Sequence, residues 1–211
     1  MNRHVAFVVL VFSGLIFGLT NILQNRPIEL EVKVESKLVN VLDTLKIDVS
    51  KSKILWKGTK MMGLGKHEGE ITIQNGFLLT QNNVLSGGDI KVDMNTITVT
   101  DIPETDPIPI RNLTNHLKSP DFFDVDKYPY SNFQITKVEP TLNGKFQISG
   151  LLDLKGISNP VLFEAEQISE DRFSASLEID RFDWDIAYSG SWIDRTLVDR
   201  EIQLRIEIVC Y

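Results

Sequence analysis

The sequence predicts an all-β protein whose antiparallel strands, about eight in number, close into a barrel. From residue 44 onward, apolar and polar residues alternate with the period of two that a half-buried strand requires. Two Asn-Gly pairs, at 75–76 and 143–144, interrupt this alternation, and Asn-Gly tolerates the positive φ angles of a tight hairpin turn. Closing such a sheet removes its exposed edges. The interior of a barrel of this size holds side chains, or one small ligand where some of them are small.

The predicted strands account for most of the chain. In 145–154 the apolar residues share one face and the polar residues the other, which identifies the side that faces the core. Helical spacing occurs once, where Ile110, Leu113 and Leu117 predict a short helix over about 109–118 that ends at a Ser-Pro pair. The predicted strands are 45–49, 54–60, 71–74, 77–80, 90–99, 133–138, 145–154, 161–166, 173–184 and 202–210.

The first 24 residues differ from the rest of the chain. A short, weakly positive start is followed by a largely apolar run at 5–23. This is the layout of a secretion signal, and the run is also just long enough to span a bilayer as a helix. We therefore expect export, with residues 1–24 forming an apolar signal peptide or an uncleaved membrane anchor. Residues 25–43 are expected to form a linker or an extra edge strand, and residues 44–211 the barrel domain.

The composition excludes several classes of function. The net charge of −7 repels phosphate backbones, so we expect no nucleic-acid partner. The single cysteine, Cys210, allows neither an intrachain disulfide nor a Cys-rich metal site. No nucleophile elbow, phosphate-binding loop or His-Glu-x-x-His motif occurs. We predict no catalytic residues and no metal; a site formed by His67, His116 and a carboxylate is the weaker alternative.

Aromatic residues are concentrated in two short segments of the chain. Such groups are ordinary core residues at the end of a barrel, or they line a pocket for an apolar ligand, because ligand pockets are mainly apolar with a few polar groups. The sequence alone leaves both interpretations open. The first group is Phe122, Phe123, Tyr128 and Tyr130, and the second is Phe182, Trp184, Tyr188 and Trp192.

Five segments, in order along the chain, resemble those of the YceI-like family of exported bacterial proteins. The most specific is NHLKSPDFFDVDKYP at 115–129, followed by GLLDLKGISNPV at 150–161. The others lie at 47–56, 67–69 and 85–94. The resemblance implies an eight-stranded antiparallel, lipocalin-like β-barrel with a short helix near its mouth. It also implies an elongated apolar cavity that holds a polyisoprenoid or a similar amphiphilic chain.

From this resemblance we predict a protein that binds, sequesters or transports a lipid in the periplasm or another extracytoplasmic space. The ligand is expected to be an isoprenoid-type or quinone-like molecule, with no other cofactor. Its polar head would lie at the mouth, oriented by His116, Arg181 or Trp192. The inner membrane is an expected partner if the N-terminal segment is retained, and the sequence leaves a homodimer open. The predicted ligand-binding residues, chosen from inward parity and aromatic placement, are Trp56, His116, Phe122, Phe123, Phe146, Ile148, Arg181, Trp184 and Trp192.

Two departures from the family pattern bear on the ligand. Trp184 and Asp185 replace what is commonly Phe-Gly, and Trp192 adds bulk before the last strand. These changes predict a narrower cavity or a ligand other than a long prenyl chain. Two alternatives follow: a structural module whose cavity is filled by tryptophans, and an enzyme that acts on a bound lipid.

Overall fold

The computed structural model describes residues 41–60, 62–142, 144–187 and 198–211. The predicted signal or anchor segment and Trp192 lie outside them. In the part described, no helix has the length and apolar character needed to cross a membrane. The elements are β1 (Leu42–Lys46), β2 (Lys53–Lys60), β3 (Gly65–Gln81), β4 (Val84–Val99), α1 (Pro107–Lys118), β5 (Tyr130–Pro140), β6 (Phe146–Leu154), β7 (Ile157–Ser169), β8 (Arg172–Asp180), a 3-10 helix (Arg181–Trp184) and β9 (Val198–Val209).

The strands form a closed antiparallel barrel with eight positions around its circumference. Going round the barrel from β2, the neighbours are β9, β8, β7, β6, β5, β4 and β3, and β3 pairs again with β2. The strand β1 lies end to end with β2, between the far ends of β3 and β9. The prediction of an all-β, eight-stranded barrel is therefore confirmed, with one of its eight positions occupied by two strands.

A short turn separates β1 from β2. The carboxylate of Asp48 accepts hydrogen bonds from both the backbone N–H and the hydroxyl of Ser50, at 3.1 and 2.6 Å. The backbone carbonyl of Asp48 accepts from the N–H of Ser52 at 3.0 Å. A local side-chain acceptor of this kind offers the backbone an alternative to the sheet ladder. The interruption of the strand at this point follows from the Asp-x-Ser sequence.

The predicted hairpin at Asn75-Gly76 is wrong. The strand β3 runs through this pair without turning, and the hairpin lies later, at Asn82 and Asn83, whose φ angles are 51° and 66°. Gly76 serves close packing instead. A Cβ atom there would lie 2.8 Å from the carbonyl oxygen of Asp89 and 2.9 Å from Cδ1 of Ile47. The glycine thus allows Ile47, just after β1, and Asp89 of β4 to approach β3 closely.

We expect Gly76→Ala to lower the free energy of unfolding by about 1–3 kcal/mol, because an added methyl group in a packed site forces neighbouring atoms to move. The matched control is Gly58→Ala, in the same barrel wall, where a Cβ atom would meet nothing within 4 Å. Urea unfolding of both variants measures the difference. Equal losses in the two variants would show that Gly76 is not in close packing.

The second Asn-Gly pair marks a hairpin, as predicted. Gly144 has a φ of 74°, and the N–H of Thr141 donates to the carbonyl oxygen of Lys145 at 2.8 Å across the connection between β5 and β6. The strand β6 also has the predicted two faces, since its residues alternate between buried and exposed. This hairpin lies at the end of the barrel opposite the β2–β3 turn.

The helix α1 begins two residues before the predicted start and ends at the predicted residue. Pro107 occupies its first turn, where a missing N–H costs nothing. The hydroxyl of Ser119 donates to the carbonyl oxygen of His116 at 2.8 Å and satisfies one acceptor of the last turn. The helix packs against β4, and its buried Leu117 faces the barrel interior.

The end of the barrel away from α1 is filled by side chains. Cys210 belongs to this region and pairs with Ile47 as an isolated bridge. Burial raises the pKa of the Cys210 thiol to about 11, so the thiol stays protonated and inert. The buried residues that fill this end include Ile47, Ile73, Leu78, Leu85, Phe146, Ile148, Phe173, Ile208 and Cys210.

Candidate functional site

A cavity of about 300 Å³ occupies the interior of the barrel on the side of α1. Its lining is almost entirely apolar and comes from the inward faces of β2–β9, from α1 and from the turn that follows α1. The volume is at the lower end of the range for small-molecule sites, about 300–1,000 Å³. The polar residues in the lining are Thr59, Lys60, Lys66, His67, His116 and Ser131.

The accessibility of inward-facing residues locates the cavity along each strand. On β9, Ile202 and Ile208 are buried, whereas Leu204 and Ile206 between them are only half-buried although they share the same face. Inward residues that remain accessible must face empty space, since the same face is covered at both ends. Phe133 is also half-buried and belongs to the lining. The cavity therefore begins above the filled end and extends toward the helix.

The turn after α1 contributes the aromatic part of the lining. The N–H of Phe123 donates to the carbonyl oxygen of Leu117 at 3.1 Å, and Asp124, with a φ of 50°, donates to the carbonyl oxygen of Ser119 at 2.9 Å. These bonds fold the chain back against the helix end. The rings of Phe122 and Phe123 then meet edge to face, with centroids 4.8 Å apart, a favoured aromatic geometry. Both rings are buried against the cavity.

His116 joins this aromatic group from the last turn of α1. Its ring meets Phe122 at a centroid distance of 5.6 Å and an interplanar angle of 66°. Desolvation by burial lowers the pKa of His116, and the nearby carboxylate of Asp121 partly opposes the shift. The imidazole is therefore neutral near pH 7 and adds a polar atom to an otherwise apolar wall without adding charge.

We expect the free energy of unfolding to fall as the pH is lowered from 7 to 5, in part because of His116. Its pKa is lower in the folded protein than in the unfolded chain, so below about pH 6.5 the unfolded chain binds more protons and is favoured. One such group limits the slope to about 1.4 kcal/mol per pH unit. Urea titrations at several pH values should show a smaller slope for His116→Leu, and an unchanged slope would contradict this origin.

The rim of the cavity lies where β2 ends and β3 and β9 begin. Thr59, Lys60, Lys66 and His67 belong to the lining at this edge. The Nδ1 atom of His67 lies 3.1 Å from a carboxylate oxygen of Asp101, which holds the ring in place. The cavity thus has an apolar interior and a polar rim, the arrangement that suits a molecule with an apolar tail and a polar head.

Four of the nine predicted ligand-binding residues line the cavity: Trp56, His116, Phe122 and Phe123. Trp56 is fixed by a hydrogen bond from its Nε1 to the carbonyl oxygen of Thr98 at 3.1 Å. Whether these four contact a ligand stays a prediction.

Four other predicted residues are buried elsewhere. Phe146 and Ile148 belong to the filled end of the barrel. Trp184 is 2 % exposed, and its Nε1 donates to the carbonyl oxygen of Leu152 at 3.0 Å. Arg181 is fully buried and bonds to backbone carbonyl oxygens. None of the four is part of the cavity lining. For Phe146 and Ile148 the reason is that inward parity fixes the face of a strand but not the depth along the barrel, whereas Arg181 and Trp184 lie in the 3-10 helix, because the predicted strand 173–184 ends at Asp180.

The sequence analysis missed much of the lining. Most of the missed residues are apolar positions on the inward faces of the strands. Alternation marks every inward residue alike, so it does not select the ones that line the cavity. Among the described residues, no group of three or more His, Cys, Asp or Glu could hold a metal ion. The missed lining residues include Val92, Phe133, Phe163, Leu204 and Ile206.

The fold and the cavity define a class: closed antiparallel barrels of eight positions with an internal apolar cavity open toward one end. The chain belongs to the YceI-like family, since the model of the YceI-like domain matches residues 45–210. A UPF0312 protein of Vibrio parahaemolyticus is 32% identical over 98 residues, which cover 42% of this chain and 50% of that protein. A UPF0312 protein of Shewanella denitrificans is 33% identical over 87 residues, 41% of each chain. The chain thus spans half or less of the length of these two relatives.

Two solved structures share the fold. BcnA of Burkholderia cenocepacia superposes with a TM-score of 0.58 at 18% identity, covering 78% of this chain and 99% of BcnA. A polyisoprenoid binding domain from Saccharophagus degradans, implicated in plant cell wall breakdown, gives a TM-score of 0.56 at 12% identity, covering 79% of this chain and 97% of that domain. At these identities the similarity establishes the barrel and no more.

Proposed function

We propose that the protein binds an isoprenoid-type or other amphiphilic lipid in the barrel cavity and sequesters or transports it. The observation that carries the proposal is the apolar cavity of about 300 Å³ with polar groups gathered at its rim. Burial of an apolar chain there would contribute about 0.8 kcal/mol per methylene group. The binding of polyisoprenoid by the structurally similar Saccharophagus domain supports the same class of ligand.

The cavity volume bears on the length of the ligand. At about 300 Å³ the cavity lies at the lower end of the range for small-molecule sites. In this proposal the cavity holds part of a long prenyl chain, and the rest extends through the open end. The polar head lies at the rim, where Lys66, His67 and the more deeply placed His116 offer hydrogen-bond partners.

Binding without catalysis fits this lining better than an enzyme does. The His67–Asp101 pair lies at the rim, but the described part of the lining places no serine or threonine hydroxyl and no cysteine thiol within hydrogen-bond distance of the His67 ring. A filled structural module is also disfavoured, because Trp56 lines an open cavity and Trp184 lies outside it.

The site of action in this proposal is the periplasm. The apolar run at 5–23 supports export, and it would keep the protein at the inner membrane if it were not removed. Fractionation of a bacterial host that expresses the full chain, followed by N-terminal sequencing, tests both points. Recovery in the cytoplasm would contradict export.

The decisive experiment for binding is mass spectrometry of an organic extract from the full chain, purified after export from a bacterial host. We expect one prenyl lipid or quinone-like species in near-stoichiometric amount. As a second arm, the purified protein is incubated with farnesol and with a longer prenol, and retention after gel filtration is compared. An extract without lipid, together with no retention of either prenol, would falsify the proposal.

A further inference from the structure

The turn between β2 and β3 exposes two large apolar side chains beside the rim of the cavity. Met62 is 95% exposed and Leu64 is 84% exposed. Scattered exposed apolar residues are common on protein surfaces, but these two are separated by a single glycine and lie between Lys60 and Lys66, which belong to the cavity lining. The turn therefore places an apolar tip at the opening of the proposed lipid site.

The backbone of this tip is held in place from β9. The carboxylate of Asp199 accepts hydrogen bonds from the N–H groups of Met62 and Gly63, at 2.9 and 3.0 Å. The hydrogen bond from the side chain of Thr59, together with these two backbone bonds, lowers the pKa of Asp199, so its carboxylate stays charged and keeps its donors. Met62 itself has a φ of 55°, a conformation that non-glycine residues rarely adopt. The turn is thus fixed in a form that leaves both apolar side chains in solvent.

The lysines beside the tip have different surroundings. The stem of Lys60 crosses Gly65, since a Cβ atom at Gly65 would lie 2.6 Å from Cε of that lysine. Within the described residues, no carboxylate lies within salt-bridge distance of its ammonium group. Lys66 is paired with Glu68 at 2.8 Å. A lysine stem can lie along apolar surface while its ammonium group stays at the level of lipid head groups.

We propose that this tip docks on the surface of a lipid bilayer and brings the opening of the cavity against the membrane. The inference rests on the proposed function, because a ligand with a long apolar chain is scarce in water and has to enter from a membrane. Exposed apolar side chains next to basic ones are the usual composition of segments that lie at the membrane interface. Of the acidic groups beside the tip, Glu68 pairs with Lys66 and Asp199 accepts from the turn backbone. Both stay charged, so docking depends on the two apolar side chains and on Lys60.

The chain allows a position-specific test. Met62→Cys is labelled with a solvent-sensitive fluorophore in the full chain, where Cys210 is buried and its thiol stays protonated. The matched control is Leu142→Cys, equally labelled, because Leu142 is fully exposed at the opposite end of the barrel. The probes are vesicles of phosphatidylcholine with phosphatidylglycerol, and vesicles of phosphatidylcholine alone. Tethering through residues 1–24 is common to both labelled proteins, so a response at 62 that is absent at 142 reports the tip.

We expect a blue shift and a gain of intensity for the label at 62 on the mixed vesicles, and no change for the label at 142. Lys60→Gln should weaken partitioning to these vesicles about fivefold, because one lysine near an anionic surface contributes about 1 kcal/mol, which is about a fivefold change in the partition constant. No response at 62, or equal responses at both positions, would overturn the proposal. A blue shift at 62 that grows with protein concentration without vesicles would overturn it too, in favour of a second copy of the chain.

An organic extract of the same labelled protein separates this inference from the proposed function. Lipid in the extract with no response at 62 overturns membrane docking alone. A response at 62 with no lipid in the extract, and no retention of added farnesol, supports the docking surface while the cavity loses its assigned ligand.

Discussion

Arg181→Met should lower the free energy of unfolding by about 3–5 kcal/mol, because the guanidinium is fully buried and serves several carbonyl groups at once. It donates to the carbonyl oxygen of Ile186 at 2.5 Å and to those of Val198 and Asp199 at 3.1 Å each. Its Cζ atom also lies 4.2 Å from the centroid of the Phe182 ring. Loss of the side chain leaves acceptors without their donor, at about 1–3 kcal/mol each.

The matched control for this substitution is Arg200→Met. Arg200 is close in the structure and pairs with Asp180, but its side chain is exposed, so its loss should cost less than about 1 kcal/mol. Arg181→Lys should recover little of the stability, because an ammonium group does not reproduce the planar fork of donors. Urea unfolding of the three variants measures these losses of stability. Similar losses for the two methionine variants would contradict the structural role of Arg181.

Arg181 also shows how far the sequence could predict the site. Its place beside aromatic residues near a strand end was compatible with a head-group contact at the mouth, and also with a buried structural role. The sequence does not show which carbonyl groups will converge on a side chain, because Ile186 and Val198 are brought together only by the folding of β8 and β9. The buried role was therefore beyond prediction from the sequence.

The two Asn-Gly pairs show the same limit of sequence-based prediction for the fold. Both have the composition of a tight turn, yet only the pair at 143–144 lies at a hairpin, with Gly144 at a φ of 74°. At Gly76 the glycine is required because Ile47 and Asp89 approach from neighbouring strands. Both contacts come from residues more than ten positions away from Gly76, so local turn chemistry could not distinguish the two cases.

The antiparallel direction of the strands and their inward faces, in contrast, were predictable. The alternation in β6 and β9 fixed the inward face of each strand, and the structure confirms both faces. Alternation does not show how far along the barrel axis an inward residue lies. Ile148 and Ile206 both face inward, but Ile148 is 1% exposed in the filled end, whereas Ile206 is half-buried at the cavity. A period of two is the same at every level of a barrel.

This difference in depth leads to the prediction with the largest effect on function. Ile206→Trp should reduce lipid affinity about a hundredfold, because an indole placed in a cavity of about 300 Å³ displaces about four methylene groups of ligand, or about 3 kcal/mol. The fold should be retained. The position faces empty space, so the larger side chain meets less of the overpacking that it would cause in a filled core.

The control is the next residue of the same strand. Arg205→Trp adds the same indole on the outer face, where Arg205 is exposed, and should leave bound lipid unchanged. Lipid in organic extracts and retention of added farnesol measure binding, and near-ultraviolet circular dichroism with urea unfolding measures the fold. A folded Ile206→Trp protein that retains as much lipid as Arg205→Trp would place the ligand outside the barrel. Loss of lipid from Ile206→Trp alone would place the apolar chain at the level of β9 where inward residues remain accessible.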